Sequence, residues 1–358
     1  MKYQTTRYGE IPFYKIGTFG NTANAFISKK LFLEYKTKYS FPKKGDILIS
    51  ASGTIGRAVI YDGKPAYFQD SNIVWIDNDE TLVKNDFLFY AYSNIKWNTE
   101  HTTILRLYND NFRNTLIPLP PLNEQIAIAN ILSDLDHYLY SLDALILKKE
   151  SVKKALSFEL LSQRKRLKGF NQNWQRVRLG DIANYLTSNL SAEQITQQGK
   201  IKVYDVNNFI GYTNTTFISD KPYISIVKDG SVGRVRILPP KTNILSTMGA
   251  LIANHRTTTE FLFYLLSNFD FKNFTSGSII PHIYFKDYKE KTIFLPPLNE
   301  QIAIANILSD LDNEIISLKN KKRQFENIKK ALNHDLMSAK IRVLKKINAP
   351  KVKDKPAS

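Results

Sequence analysis

The feature that most constrains the fold of this 358-residue chain is an 18-residue segment that occurs twice. Leu119–Asp136 recurs without a single change as Leu295–Asp312, 176 positions later. Weaker similarity continues beyond both copies, for example at Lys153–Leu156 and Lys329–Leu332. Solenoid repeats have periods of about 20–50 residues, so this is not a solenoid. The pattern predicts two copies of one large unit, in which a domain is followed by the shared segment.

The repeated segment predicts the start of a long helix. Pro120-Pro121 ends the preceding strand, and Asn123 is a candidate N-cap with Glu124 in the first turn. No proline or glycine follows until Gly169. Apolar residues then recur every three or four positions, which favours a coiled-coil seam over the alternative, the core face of a globular domain. The seam positions are Ile128, Leu132, Leu135, Leu139 and Leu142 in the first copy and Ile304, Leu308, Leu311, Ile315 and Leu318 in the second.

The charges along the two helices predict how they pair. The chain has a net charge of +17, and each helix begins acidic and ends basic. Residues 119–147 contain four acidic and no basic side chains, whereas residues 148–168 contain eight basic and two acidic ones. The counts are four acidic and no basic in 295–318, then 13 basic and three acidic in 319–358. An antiparallel pair places opposite charges side by side, so we expect that arrangement. The basic stretches indicate either nucleic-acid binding or a solvated helix face.

The segments before the helices, residues 1–118 and 169–294, alternate β-branched and aromatic residues with turn signals, which predicts mostly β domains. Both contain a Gly-x-x-Gly-Arg element, within Ile47–Arg57 and Ile224–Arg234. It lacks the nucleotide-binding Gly-x-x-x-x-Gly-Lys-Ser/Thr pattern. A tight turn between two strands explains it better, and such turns often carry side chains that reach a ligand. Further shared landmarks are short helices at Lys84–Ile95 and Thr259–Phe269, and the segments Arg106–Tyr108 and His282–Tyr284.

Composition excludes several classes of function. The chain has no cysteine, so it has no disulfide, thiolate nucleophile or cysteine-ligated metal, and its five histidines lack metal-binding spacing. No apolar run is long enough for a membrane span or signal peptide, which predicts a cytoplasmic protein. A methyltransferase would need a polar residue before Pro-Pro and an aromatic one after it, but Leu119 and Leu295 precede these pairs. A coiled-coil scaffold that binds no DNA is the second alternative, and it predicts no salt-sensitive DNA affinity.

Three motifs stand at corresponding places in the chain. Pro-Pro-Leu-Asn-Glu-Gln-Ile-Ala opens both helices, at Pro120 and Pro296. Lys44–Ser50 is followed by Ser52–Gly56, and Gly169–Asp181 opens the second domain with a Trp-x-x-x-x-Leu-Gly-Asp sequence. Over nearly its whole length, the chain resembles the specificity subunits of type I restriction–modification enzymes.

The resemblance implies an α+β fold: two mostly-β target recognition domains with small helices, separated by two long helices that form an antiparallel coiled coil. The expected segments are a first recognition domain (1–118), a central spacer helix (119–168), a second recognition domain (169–294), a C-terminal spacer helix (295–346) and a basic tail (347–358). It implies that each domain reads one half of a bipartite double-stranded DNA site. The helices would recruit two modification (methyltransferase) subunits, with restriction subunits outside them. The chain itself would be non-catalytic, and S-adenosylmethionine, ATP and Mg would bind to the partner subunits.

Polar side chains on rigid turns are the candidates for contacting bases and phosphates. In the first domain they are Ser52, Thr54, Arg57, Gln69, Ser71 and Asn72. In the second domain they are Asn207, Asn208, Lys228, Ser231, Arg234 and Arg236. Tyr108 and Tyr284 fit core or turn positions better.

The two domains differ at their start. The segment Gly169–Gln198 precedes a strand at Gly199–Val203, whereas only eight residues precede the corresponding Gly9–Phe13. The Trp-x-x-x-x-Leu-Gly-Asp sequence therefore has no counterpart in residues 1–118. We expect the first domain to be N-terminally shortened, with uncovered apolar surface and unpaired edge strands.

Overall fold

The structure is a computed structural model that describes residues 4–69, 72–97 and 106–344. Its fold is α+β and divides into two compact units. Unit 1 comprises residues 1–143 and 321–358, and unit 2 comprises residues 144–320. Each unit combines one mostly-β domain with part of both long helices. No helix among the described residues is long and apolar enough to cross a membrane.

The first domain contains strands β1 (Ile11–Tyr14), β2 (Phe26–Ile27), β3 (Ile47–Ser50), β4 (Ala58–Ile60), β5 (Tyr67–Phe68) and β6 (Ile73–Trp75), and helices α1 (Lys29–Lys38), α2 (Asn85–Tyr92) and α3 (Asn109–Arg113). The long helices are α4 (Leu122–Leu161) and α7 (Leu298–Met337). The second domain contains strands β7 (Gln175–Arg178), β8 (Ala183–Thr187), β9 (Ile201–Tyr204), β10 (Phe209–Thr213), β11 (Tyr223–Val227), β12 (Val235–Leu238), β13 (Thr242–Ile244), β14 (Met248–Ala253) and β15 (Thr292–Leu295), and helices α5 (Thr259–Ser267) and α6 (Phe285–Tyr288).

Both long helices have 40 residues and begin at the leucine that follows Pro-Pro. Asn123 therefore lies inside the first turn rather than at the N-cap, and its Oδ1 accepts a hydrogen bond from the N–H of Glu124 at 3.0 Å. α4 ends seven residues before the predicted end at Lys168. The reason is that Gln163 adopts a positive φ of 62°, the left-handed conformation that commonly terminates helices. Ala339, with a φ of 55°, follows α7 in the same way.

Within each unit the two long helices pair antiparallel. Ion pairs join the acidic start of one helix to the basic half of the other. They are Asp136–Lys329 and Asp143–Lys322 in unit 1, and Lys153–Asp312 and Lys149–Glu314 in unit 2. A fifth pair, Glu150–Lys319 in unit 2, joins an acidic residue of the basic half of α4 to α7. This confirms the pairing predicted from the charge pattern. All these side chains are at least a quarter exposed, so each pair contributes roughly 0.2–1 kcal/mol to stability. The main effect of the ion pairs is to favour the antiparallel direction of pairing.

The start of each long helix also packs against its own domain. Of the predicted seam residues, Ile128, Leu132, Leu142, Ile304, Leu308 and Ile315 are buried, and Leu135, Leu139, Leu311 and Leu318 are half-buried. Ile128 shares a core cluster with Phe87 of α2. Ile304 shares one with Phe261 of α5. These shared cores explain why the compact units cut across the predicted segment boundaries.

The two domains have a common strand plan. In the first domain, β1 is antiparallel to β2 and parallel to β5, and β3 lies between β4 and β6. In the second, β9 is antiparallel to β10 and parallel to β13, and β11 lies between β12 and β14. The repeat therefore extends to the domains, although their sequences have diverged.

Among the described residues, three strands of the second domain have no equivalent in the first. β8 pairs with the outer edge of β14, and β7 pairs with β15. Both β7 and β8 belong to Gly169–Gln198, the segment without a counterpart in the first domain. Within the described residues of the first domain, no strand covers the outer edge of β6, and residues 116–119, which correspond to β15, form no strand.

Candidate DNA-binding surfaces and the junctions with the long helices

In the first domain, the Gly-x-x-Gly-Arg element forms a tight turn after the central strand β3. The N–H of Gly56 donates to the carbonyl of Ser50, and the N–H of Ser50 donates to the carbonyl of Arg57, both at 3.0 Å. Gly53 and Gly56 have positive φ values of 70° and 82°. A Cβ at Gly56 would also collide with the indole of Trp97, so the turn requires glycine there.

The second domain forms the same turn after its central strand β11. Gly233 donates to the carbonyl of Val227, and Val227 donates to the carbonyl of Arg234, both at 2.9 Å. Gly230 and Gly233 have φ values of 84° and 80°. Here the ring below the second glycine belongs to Phe271, 2.6 Å from the position of a Cβ. The two turns thus have the same backbone geometry, and their second glycines pack against different aromatic rings, Trp97 and Phe271.

A second segment pairs with each turn. The N–H of Leu107 donates to the carbonyl of Ala51 at 2.8 Å, and the N–H of Ile283 donates to that of Lys228 at 2.9 Å. The residues before them, Arg106 and His282, form isolated β-bridges with Ser52 and Asp229 of the turns. Sequence reasoning did not select Arg106 and His282 as candidates, because their place depends on a long-range pairing that no local motif reveals.

Two of the candidates in the first domain point outward from the turn. Thr54 is exposed at its tip. Arg57 is exposed as well, and its Nη1 donates to the carbonyl of Phe19 at 3.0 Å. That bond orients the guanidinium and leaves its other N–H groups available for a ligand.

The other candidates of the first domain lie below this surface. Ser52 is only 6% exposed, and its Oγ donates to Oδ1 of Asn72 at 2.9 Å. Gln69 is half-buried, and its Oε1 accepts from the N–H of Ile16 at 3.3 Å. Ser52 and Asn72 therefore stabilise the turn, and the side chain of Gln69 is bonded to the segment at Ile16. Ser71 lies outside the described residues.

In the second domain, the structure brings most candidates to two adjoining turns. Ser231 and Arg234 are exposed on the Gly-x-x-Gly-Arg turn, and Lys228 is half-buried at its start. Arg236 lies on β12, two positions after Arg234. Arg236 donates from Nη1 to the carbonyl of Asn207 at 2.9 Å. This bond links β12, the strand after the first turn, to the turn between β9 and β10.

The turn between β9 and β10 is held by a carboxylate. Oδ1 of Asp205 accepts the N–H groups of both Asn207 and Asn208 at 2.7 Å. The two asparagines are exposed, so their side-chain amides face solvent. Tyr108 and Tyr284 occupy the N-cap positions of α3 and α6 and are 43% and 49% exposed, which makes them turn residues rather than core residues.

The repeated sequence fastens each long helix to its own domain through a buried glutamine. Gln301 is 1% exposed. Its Oε1 accepts from Oγ1 of Thr257 at 2.8 Å and from the N–H of Thr258 at 3.1 Å. Its Nε2 donates to the carbonyls of Arg256 at 2.9 Å and Pro296 at 2.8 Å. All four hydrogen-bonding positions of the amide are therefore filled.

Gln125 forms the same junction in unit 1. Its Oε1 accepts from the N–H of Lys84 at 2.8 Å. Its Nε2 donates to the carbonyls of Leu82 at 2.9 Å and Pro120 at 2.8 Å. A tyrosine hydroxyl adds a second hydrogen bond in each unit. Tyr90 of α2 donates to Asp136 at 2.8 Å, and Tyr264 of α5 donates to Asp312 at 2.9 Å. Burial, and next the bond to the carboxylate, raises the pKa of both phenols well above its usual value.

The glutamate before each glutamine fastens the end of the other long helix. Glu300 is fully buried and accepts two hydrogen bonds from Arg166, from Nε at 3.2 Å and Nη2 at 2.6 Å. Trp174 donates a third from Nε1 at 3.0 Å. In unit 1, Glu124 accepts from Nε and Nη2 of Arg342, at 3.3 and 2.9 Å. The Asn-Glu-Gln triplet thus explains part of the identity between the two repeats.

The chain thus contains one structural unit twice, a mostly-β domain packed against the start of one long helix and the end of the other. The profile of the type I restriction modification DNA specificity domain matches residues 1–149 and 171–327. The chain therefore belongs to this family and carries two copies of its DNA specificity domain. It is a DNA-recognition subunit and not a catalytic one, in a family that works with DNA and restriction–modification subunits.

Individual relatives agree with this assignment. A protein named as the type I restriction enzyme specificity subunit S.HindORF215P of Haemophilus influenzae is 64% identical over 133 residues, which are 37% of this chain and 34% of that protein. The type I restriction enzyme MjaX specificity subunit of Methanocaldococcus jannaschii is 30% identical over 335 residues, covering 84% of this chain and 79% of the relative. A type I S subunit from M. genitalium has the same fold, with a TM-score of 0.62 at 21% identity over 94% of this chain and 91% of that one.

Proposed function

We propose that each domain reads one half of a bipartite site in double-stranded DNA, chiefly through its Gly-x-x-Gly-Arg turn. The observation that carries the proposal is that both domains build this turn with the same backbone hydrogen bonds and expose a hydroxyl residue and an arginine at the same two positions of it. Thr54 and Arg57 are exposed in the first domain, and Ser231 and Arg234 in the second. Hydroxyl and guanidinium groups can read base edges or hold phosphates. Equivalent polar groups at the same place in both domains support the same role for the two turns, one for each half-site.

The long helices supply the spacing. α4, which connects the two domains along the chain, has 40 residues, or about 60 Å at roughly 1.5 Å per residue. One turn of DNA measures about 34–36 Å. A spacer of this length suits a target whose two halves are separated by base pairs that neither domain reads.

The DNA proposal is tested by measuring binding to the target duplex with Arg234→Ala and Arg57→Ala. Each variant should lose roughly 1–3 kcal/mol, or about 5- to 150-fold in affinity, and should relax specificity in one half-site only. Arg176→Ala is the matched control, because Arg176 is exposed on β7 outside the turn. Affinity should also fall steeply with salt. Salt-insensitive binding, or no effect of either turn arginine, would favour a coiled-coil scaffold that does not read DNA.

We further propose that the two helix starts bind two identical modification subunits, with restriction subunits outside them. Leu122, Ile126 and Asn130 lie on one helix face, spaced by four residues, and their copies are Leu298, Ile302 and Asn306. Ile126 and Ile302 are 45% and 49% exposed. Packing within the chain does not require identical residues at exposed positions. Two equivalent contacts with one kind of partner do require them.

Native mass spectrometry of the co-expressed proteins tests this stoichiometry. The intact chain should carry two modification subunits, whereas Ile126→Asp and Ile302→Asp should each leave one bound. Leu147→Asp is the control, because Leu147 is 65% exposed on α4 outside the repeat. A stable complex with one modification subunit on the unchanged chain would contradict the proposal. Under this proposal, S-adenosylmethionine, ATP and Mg bind to the partner subunits.

A further inference from the structure

In unit 2, the junction between the helix ends is completed by the start of the second domain. Trp174 is 8% exposed and belongs to the same core cluster as Leu160 and Leu295. Its Nε1 donates to the buried carboxylate of Glu300 at 3.0 Å. The strand that follows it, β7, pairs antiparallel with β15. A tryptophan and a strand therefore close this junction together.

The corresponding place in unit 1 is open among the described residues. Leu119 and Leu295 are the same residue of an identical repeat, yet Leu119 is 48% exposed and Leu295 only 4%. Leu116, just before, is 95% exposed. A cavity of about 210 Å³ lies here, with Leu119, Glu124, Ile128, Leu336 and Arg342 among its lining residues. Their counterparts in unit 2 are Leu295, Glu300, Ile304, Leu160 and Arg166, the residues around Trp174.

The size and chemistry of this cavity fit an indole ring. An apolar protein cavity of about 150 Å³ holds benzene, so 210 Å³ accommodates a larger ring. The side chain of Glu124 is 6% exposed and already accepts two bonds from Arg342. Its counterpart Glu300 accepts the same two bonds and an indole N–H in addition, and a carboxylate has room for all three.

The edge beside the cavity is also suited to pairing with a strand. In unit 2, Leu179 donates its N–H to the carbonyl of Lys291 at 3.0 Å. Hydrogen-bonded and non-hydrogen-bonded pairs alternate along an antiparallel ladder, so Phe294 lies at a non-hydrogen-bonded position. Its counterpart in unit 1 is Pro118. Proline has no N–H to donate, and at this position none is needed.

We propose that the cavity and the edge at residues 115–119 bind a tryptophan-bearing strand from outside residues 1–358, of the type Trp-x-x-x-x-Leu-Gly-Asp. This chain has three tryptophans. Trp75 lies on β6, Trp97 packs against Phe112 with ring centroids 5.1 Å apart, and Trp174 fills unit 2. Residues 345–358 contain no aromatic side chain. The occupant must therefore come from outside residues 1–358.

The test uses a fluorescent peptide with the sequence of residues 169–183, Gly-Phe-Asn-Gln-Asn-Trp-Gln-Arg-Val-Arg-Leu-Gly-Asp-Ile-Ala, added to the full chain. We expect saturable binding of one peptide per chain, with slower hydrogen exchange at residues 115–119. A peptide with Trp174→Ala should bind at least about tenfold more weakly, because the buried ring and its hydrogen bond are lost. The peptide's failure to bind at up to about 1 mM would overturn the proposal without affecting DNA recognition.

Protein variants locate the binding site. Leu116→Asp and Leu119→Asp should each weaken peptide binding at least about tenfold, since both replace exposed leucines whose apolar contact the peptide would bury. Leu33→Asp, on α1 and 52% exposed, is the control and should leave binding unchanged. A chain ending at residue 344 should bind the peptide as the full chain does. Binding that appears only after this truncation would mean that residues 345–358 fill the cavity, and it would overturn the proposal.

Discussion

Replacing Gln301 by alanine should detach the second domain from the start of α7. The side chain is 1% exposed and makes four hydrogen bonds of 2.8–3.1 Å. Each is worth about 1 kcal/mol net, so the loss should be about 4 kcal/mol. Gln125 makes three such bonds, and Gln125→Ala should therefore cost about 3 kcal/mol in unit 1.

Native-state hydrogen exchange measures both effects, because it resolves the free energy of opening segment by segment. Gln301→Ala should speed exchange in α5, and Gln125→Ala in α2. Gln198→Ala is the control, since Gln198 is exposed and should change opening by less than about 0.5 kcal/mol. A fall of less than about 1 kcal/mol in the free energy of opening for both variants would refute the reasoning. It would mean that the partners of the two glutamines lose nothing when these hydrogen bonds are removed.

Two further predictions concern the turns and the strands. Gly233→Ala should destabilise unit 2 by about 1–3 kcal/mol more than Gly230→Ala in chemical denaturation. Both glycines have positive φ, but only Gly233 lies against the ring of Phe271. Equal effects would show that the new Cβ at residue 233 is accommodated beside this ring at no cost. The amides of β3 should exchange faster than those of β11, because β11 belongs to a four-stranded sheet and β3 to a three-stranded one with shorter neighbours. Slower exchange in β3 would mean that the short N-terminal segment leaves the first domain no less stable.

The start and the pairing of the long helices could be predicted because the residues that determine them lie within the helices themselves. The identical repeats indicated two equivalent helix starts, and the order of acidic and basic residues indicated antiparallel pairing. The end of α4 could not be predicted, because Gln163 carries no glycine signal for its left-handed conformation. The Gly-x-x-Gly-Arg turns were visible because both glycines are needed for backbone geometry.

Contacts between distant segments were out of reach of the sequence. Gln125 and Gln301 belong to a motif that was recognised, yet their role depends on carbonyls and N–H groups in loops some 40 residues away. Ser52 looked like a reading residue, but pairing with Asn72 buries it. The candidates for DNA contact therefore stay predictions, best supported where the side chain is exposed on a turn.

The most direct test of the central claim is methylome sequencing of cells that express the chain with its partner subunits. The account predicts one bipartite motif with an unread gap. Arg57→Ala should relax only the half-site read by the first domain, and Arg234→Ala only the half-site read by the second. A single continuous motif, or an unchanged motif with both variants, would contradict the assignment of one half-site to each domain.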